Sequence, residues 1–150
     1  MTITNSLSNA LSGLTLCEML LDRAWRRLMA DQIAEALRVL DASGIEPRGT
    51  TALPPSWIPA ILRLPTLLFR QIAAQMLTID PTARTSMARD LAAQRGTEID
   101  AFQGRIAAMG AAAGVATPLA LRVKTLIEAA ETGHPGAIGL TPDQVRGHAG

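Results

Sequence analysis

Apolar residues between about residues 22 and 43 recur at the spacing of an α-helix, and this pattern restricts the fold most. They follow one another at steps of three and four positions and are Trp25, Leu28, Met29, Ile33, Ala36, Leu37 and Leu40. One broad apolar face is typical of an amphipathic helix that packs on a core. Gly44 follows at the position where a left-handed cap would end such a helix.

Proline and glycine divide the rest of the first half. An apolar stretch over about residues 3–21 predicts a helix with a bend or break at Gly13. Residues 45–59 are predicted to form a loop, because regular helix cannot accommodate all of Pro47, Gly49, Pro54, Pro55 and Pro59. We expect Trp57 and Ile58 to anchor that loop. Another helix is predicted over about residues 64–77, with an apolar face of Leu67, Leu68, Ile72 and Met76.

Capping signals mark the helices of the second half. Thr97 is a predicted N-cap followed by an apolar stripe of Ile99, Phe102, Ile106 and Met109, and Gly114 is the predicted stop. Thr117 is a predicted N-cap, and Pro118 after it predicts the start of a last long helix, whose core residues would be Leu119, Val123, Leu126, Ile127 and Ala130. Residues 1–132 are therefore predicted to form the domain. Residues 133–150 are expected to form a tail with one short helix signal at residues 141–143.

Composition supports an all-α fold. The chain has 26 Ala and 20 Leu against four Val and no Tyr, a balance that favours helix over strand. Its 150 residues, 48% of them hydrophobic and 18% charged, suffice for one folded domain. The sequence predicts a single helical domain of about six helices.

Several functional classes are excluded at this stage. The net charge of +1 comes without a basic stripe, so we expect no nucleic-acid partner. No apolar stretch reaches 18 residues and no signal peptide is evident, so we expect no membrane association and a cytoplasmic location. Cys17, the single cysteine, reads as a buried inert thiol rather than a nucleophile. His134 and His148 lie in the predicted tail, so no metal site is expected.

Two local motifs point to a function. The first is the segment NSLSNALSGLT at residues 5–15, and the second is TSMARDL at residues 85–91, followed by GTEIDAFQG at residues 96–104. Twelve positions separate Ser86 from Glu98. In this order, and with the turn VATP at residues 115–118, the chain resembles the C-terminal domain of ketopantoate reductase (2-dehydropantoate 2-reductase).

The resemblance implies one half of a two-domain oxidoreductase. In that family a Rossmann domain holds NADPH, and a helical C-terminal domain supplies most of the substrate pocket. The reaction reduces ketopantoate to pantoate in pantothenate biosynthesis. No glycine-rich phosphate loop occurs in this sequence, so the cofactor domain is expected to be missing and the chain alone to bind no cofactor.

The resemblance also assigns four site residues. Asn5 and Asn9 correspond to the substrate-binding asparagines and, four positions apart, would share one helix face. Ser86 corresponds to a serine that binds the substrate carboxylate, and Glu98 to the active-site glutamate. Each has an ordinary alternative: surface or capping amides for the asparagines, an N-cap for Ser86 and a first-turn acid for Glu98. A functional site requires all four to converge on one concave surface.

The departures from the family matter as much as the matches. The family's general-acid lysine, four residues before the first asparagine, is replaced by Met1, whose thioether cannot donate a proton. The usual Asn-Gly pair after the TEID motif is Gln103-Gly104 here. Arg84 is a further candidate for pairing with a carboxylate, though a solvated charge explains it as well.

Three interpretations of the whole chain stay open. It is the substrate-side domain of a ketopantoate reductase-like enzyme, a free-standing helical dimerisation or interaction module, or a folded remnant of gene decay. Expected partners are a 2-keto acid, a separately encoded Rossmann domain or a second copy in a homodimer. An in-frame glycine-rich motif in the nucleotide sequence before Met1 would favour the first.

Overall fold

The computed structural model describes residues 12, 14, 16–47, 54–76, 103–133 and 139–147. These residues form seven α-helices and one 3₁₀ helix, and none of them lies in a β-strand. The predicted all-α class is confirmed. In chain order the elements are α1 (Leu16–Leu21), α2 (Arg23–Ala42), the 3₁₀ helix (Pro55–Trp57), α3 (Ile58–Leu62), α4 (Thr66–Met76), α5 (Arg105–Ala113), α6 (Pro118–Glu131) and α7 (Pro142–Arg146).

Helix α2 forms where the apolar period predicts it. Asp22 caps its start, since a carboxylate oxygen accepts hydrogen bonds from the amides of Ala24 at 2.7 Å and Trp25 at 3.3 Å. The helix ends before Gly44, which has the left-handed φ of 68° expected of a terminating glycine. Both predicted ends are therefore confirmed to within a residue or two.

Helix α2 is also the centre of the fold, because α1, α3, α5, α6 and α7 all pack against it. The core is aliphatic for the most part, with contributions from most of the chain. Its buried members are Met19, Leu20, Trp25, Leu28, Met29, Ala30, Ile33, Leu62, Phe69, Val123, Ile127, Ala130 and Val145. The elements that pack on α2 therefore contact the helix with the most buried residues in the described structure.

The predicted loop at residues 45–59 was wrong at its C-terminal end. Residues 55–62 are helical, first as the 3₁₀ helix and then as α3. Pro55 and Pro59 sit in the first turns of these helices, where a residue without an amide hydrogen loses no bond. Trp57 is 62% exposed and does not anchor the segment, whereas Ile58 packs against the core.

Helix α4 forms where predicted but presents a different face to the core. Leu67 is 77% exposed, Leu68 50% and Ile72 38%, so these apolar residues do not enter the core. Phe69 is the residue that enters the core, with 5% exposure. The side chain of Met76 lies outside the described residues.

The close approach of α5 to the start of α6 depends on a glycine. Gly110 is buried, and a β-carbon there would come within 2.5 Å of the Thr117 methyl group and 2.8 Å of the Val115 carbonyl oxygen. Gly114 has a φ of 71° and ends α5 as predicted. Helix α6 begins at Pro118, also as predicted, although the Thr117 side chain forms no capping hydrogen bond.

The short helix signal near the C-terminus corresponds to α7. A capping box opens it, in which Thr141 and Gln144 each bond to the backbone amide of the other. Val145 is fully buried, so the segment predicted as a tail contributes to the core. The domain boundary at residue 132 stays a prediction.

Within the described ranges, no helix has both the length and the apolar character required to span a bilayer.

Candidate functional site

The site residues predicted from the family motifs lie outside the described residues. They are Asn5, Asn9, Ser86 and Glu98, together with Met1 at the lysine position and the candidate Arg84. His134, His148 and the Cys17 side chain also lie outside. Whether the four site residues converge on one surface therefore stays a prediction.

The described ends of both motifs lead into the core. Ser12, in the first motif, is 7% exposed; its hydroxyl accepts a hydrogen bond from the Leu14 amide at 3.1 Å and donates to the Met19 sulfur at 3.4 Å. Gln103, near the end of the second motif, is also 7% exposed and lies two residues before the start of α5. Because α1 and α5 both pack on α2, the same helix supports the chain beyond each motif.

Among the described residues, the most buried charged group is Arg26 of α2, which is 0% exposed. Its guanidinium donates hydrogen bonds to the carbonyl oxygens of Leu20 at 2.8 Å, Leu62 at 3.2 Å and Leu64 at 3.1 Å. It also reaches the Thr66 hydroxyl at 3.1 Å and lies 4.5 Å from the centre of the Phe69 ring. This one side chain joins the ends of α1 and α3 to the start of α4.

The charge of Arg26 is retained despite an unfavourable setting. Burial, and secondly the nearby Arg23 guanidinium, lower the pKa of Arg26, while Asp22 acts in the opposite direction. Its main partners are carbonyl oxygens, which accept hydrogen bonds without neutralising the charge. We assign Arg26 a structural role, because its donors are used by the backbone.

A second buried charge, Glu35, caps α6 from α2. Its two carboxylate oxygens accept hydrogen bonds from the amides of Leu119 at 3.1 Å and Ala120 at 2.7 Å. A negative charge at a helix N-terminus is favoured by the unpaired amides and by the helix dipole. Glu35 therefore does what the sequence assigned to Thr117, from a position 82 residues earlier in the chain.

The spacing of Arg26 and Glu35 from the apolar residues of α2 could have indicated that both are buried. Arg26 precedes Met29 by three positions and Ile33 by seven, and Glu35 follows Leu28 by seven and precedes Val39 by four. Each charge therefore falls on a buried part of α2, where an ionised side chain requires hydrogen-bonding partners. The pattern marks such residues as buried, but their partners are distant in sequence and cannot be inferred from it.

An open cleft of about 640 Å³ lies between α2, the end of α3 and α7. The charged side chains on its wall are Arg23, Arg27, Asp31, Arg63, Asp143 and Arg146. Asp31 joins two of them, with one carboxylate oxygen 2.7 Å from Arg63 and the other bonded to Arg146. The sequence contains no signal for this cleft, because its arginines are spread over 124 positions.

The described part of the chain offers no metal centre. No three residues of the His, Cys, Asp and Glu types come together there in a way that would hold an ion. The two buried charged groups described above, Arg26 and Glu35, instead support the fold. The cleft lined by Arg23, Arg27, Arg63 and Arg146 is called the arginine cleft below.

Comparison with known proteins identifies the family. No curated protein and no solved structure shows significant similarity to the chain. Residues 1–131 nevertheless match the sequence profile of the family described as ketopantoate reductase PanE/ApbA, C terminal. This range contains both motifs and every helix from α1 to α6. The chain belongs to the ketopantoate reductase C-terminal domain family.

Proposed function

We propose that this chain is the substrate-side domain of an NADPH-dependent reductase that acts on ketopantoate or a similar 2-keto acid. The observation that carries the proposal is the family match over residues 1–131, since it includes all four residues assigned to the active site. The cofactor-binding domain would be contributed by a separate chain or by another part of a longer protein.

In this proposal the chain's residues bind and orient the substrate. The Asn5 and Asn9 amides each offer a donor and an acceptor to the substrate's carbonyl or hydroxyl oxygen. The Ser86 hydroxyl donates a hydrogen bond to the carboxylate. Glu98, the catalytic candidate, contacts the substrate or cofactor side of the cleft between the two domains. NADPH, held by the partner domain, would supply the hydride.

Met1 is the feature that favours a second candidate function. A general acid typically contributes about 10²–10⁴-fold to a rate, and a thioether at that position cannot act as one. A helical module that keeps the fold without the chemistry, and that forms a homodimer, is consistent with this replacement. The near-neutral net charge of +1 gives little electrostatic opposition to self-association.

The two functions are separated by an activity test with the cofactor domain added. NADPH oxidation is followed in the presence of ketopantoate, with the purified chain alone and with a Rossmann domain from the ketopantoate reductase family. We expect no turnover by the chain alone and measurable turnover by the mixture. Turnover by the chain alone would contradict the proposed division of labour, and an inactive mixture in which the domains associate would favour the interaction module.

A substrate-binding test addresses the site residues directly. Ketopantoate is titrated into the isotope-labelled chain and followed by NMR, with Ser86→Ala compared against Ser56→Ala, whose parent side chain is exposed and outside the motifs. We expect weak saturable binding that Ser86→Ala reduces and Ser56→Ala leaves unchanged. Equal binding by both variants would remove Ser86 from the proposed site.

A further inference from the structure

The arginine cleft carries an excess of positive charge from three separate helices. Arg23 and Arg27 lie one turn apart on α2, while Arg63 follows α3 and Arg146 is the last residue of α7. Four arginines and two aspartates form its charged wall, so the wall has a formal charge of +2. An open cleft with this balance attracts anions.

Asp31 forms ion pairs with only two of the four arginines. Each of its carboxylate oxygens bonds to a different guanidinium, that of Arg63 or that of Arg146, and these contacts hold the two side chains in place. Among the described residues, neither Arg23 nor Arg27 forms a side-chain hydrogen bond or ion pair. Two exposed guanidinium groups are therefore directed to the same cleft and available to a ligand.

The spacing of Arg23 and Arg27 is unfavourable in the free protein. Like charges four positions apart on a helix repel each other, as Arg23 and Arg27 do. Arg23 also contributes to the lowered pKa of the buried Arg26. A bound anion would relieve both repulsions, so ligand binding gives the unpaired arginines a favourable role.

We propose that the cleft between α2, α3 and α7 binds the phosphate group of a small phosphorylated metabolite, with Arg23 and Arg27 as its principal ligands. Guanidinium groups match phosphate geometry and bind it through paired, charge-assisted hydrogen bonds. Arg63 and Arg146, fixed by Asp31, would supply further positive charge at the wall.

The cleft is large enough for a ligand that extends beyond one phosphate group. Small-molecule sites usually occupy about 300–1,000 Å³, and the cleft measures about 640 Å³. One phosphate group would fill only a part of it. The remaining wall includes Ala24 and Pro142, which offer apolar contact to the carbon skeleton of the ligand.

Titration with pyrophosphate tests the site in the full chain. Isothermal calorimetry and NMR of the labelled protein would follow binding to the wild type and to the double variant Arg23→Gln/Arg27→Gln. We expect saturable binding at millimolar concentration or below, shifts at residues 23–27 and 142–146, and about tenfold or greater weakening in the double variant. Pyrophosphate should also raise the Tm of the wild type and have little effect on the Tm of the variant.

The control is Arg38→Gln/Arg70→Gln, which removes the same charge from two exposed arginines outside the cleft. We expect it to bind pyrophosphate like the wild type. Equal weakening in both double variants would attribute binding to net charge and overturn the proposal. So would the absence of saturation, or succinate binding as tightly as pyrophosphate, because the proposed ligand chemistry is that of phosphate.

Discussion

Helices α2 and α4 are both amphipathic in sequence, yet the structure uses their apolar residues in opposite ways. In α2 the predicted stripe is buried at Trp25, Leu28, Met29 and Ile33. In α4 the apolar residues Leu67, Leu68 and Ile72 are exposed, and Phe69 is the one buried residue among the side chains of α4 that the structure describes. Apolar spacing thus identifies a helix, but the surrounding elements decide which of its faces is covered.

The difference follows from the number of neighbours. Helix α2 packs against five other helices, which cover most of its circumference and reach even its charged residues Arg26 and Glu35. Helix α4 is attached at its start, where Arg26 bonds to the Thr66 hydroxyl and stacks on Phe69. A charge on α2 can therefore be more important for stability than a leucine on α4.

Arg26→Met provides the strongest test of the inference that a charge on α2 is more important for stability than a leucine on α4. The substitution leaves the carbonyl oxygens of Leu20, Leu62 and Leu64 without their donor, so we expect a loss of about 3–5 kcal/mol in the free energy of unfolding. Urea denaturation measures it. Arg27→Met is the matched control, one position further along and exposed, with an expected change within about 0.5 kcal/mol.

If Arg26→Met does not fold, Arg26→Lys tests the same hydrogen bonds with a smaller expected loss of stability. An ammonium group keeps the charge but cannot reproduce the spread of donors in the guanidinium fork, so an intermediate loss is expected. A wild-type stability for Arg26→Lys would show that the charge alone matters, and that the hydrogen bonds to three carbonyls do not.

Leu28→Ala measures the covered face of α2 itself. Leu28 is 0% exposed, and shortening a buried leucine costs about 2–5 kcal/mol because apolar contacts are lost and a cavity is left. We expect about 3 kcal/mol by urea denaturation. A loss below about 1 kcal/mol would mean that the core around α2 collapses easily and is less well packed than its burial indicates.

Glu35→Ala tests the contact between α2 and α6. It removes both acceptors from the amides of Leu119 and Ala120, and we expect a loss of about 2 kcal/mol. Amide hydrogen exchange should accelerate at these two residues first. Glu46→Ala, which removes an exposed carboxylate after α2, is the control and should leave both the exchange rates and the stability unchanged.

The sequence predicted local features of the fold well. The bounds of α2, the glycine stops at Gly44 and Gly114 and the proline at the first position of α6 are all marked by residues within one or two turns. The partners of Arg26 and Glu35 lie 36 to 85 positions away, with the single exception of Leu20. No local pattern contains that information, so these contacts could not be predicted.

The candidate sites also differ in how far the sequence alone could predict them. Asn5, Asn9, Ser86 and Glu98 were selected through a family resemblance, and the family is confirmed, while their spatial arrangement stays a prediction. The arginine cleft carries no sequence motif. Its wall is assembled from Arg23, Arg63 and Arg146 only when α3 and α7 pack on α2.

The smallest expected effect is that of Leu67→Ala on α4. Because Leu67 is 77% exposed, its truncation should remove few contacts and change the free energy of unfolding by less than about 0.5 kcal/mol. The loss in the free energy of unfolding should then be several-fold smaller for Leu67→Ala on α4 than for Leu28→Ala on α2. Urea denaturation at two protein concentrations is the measurement. A loss of about 2 kcal/mol or more that is equal at both concentrations would mean that residues of the same chain cover Leu67. A loss that grows with protein concentration would instead identify a second copy as its cover, since association makes apparent stability depend on concentration.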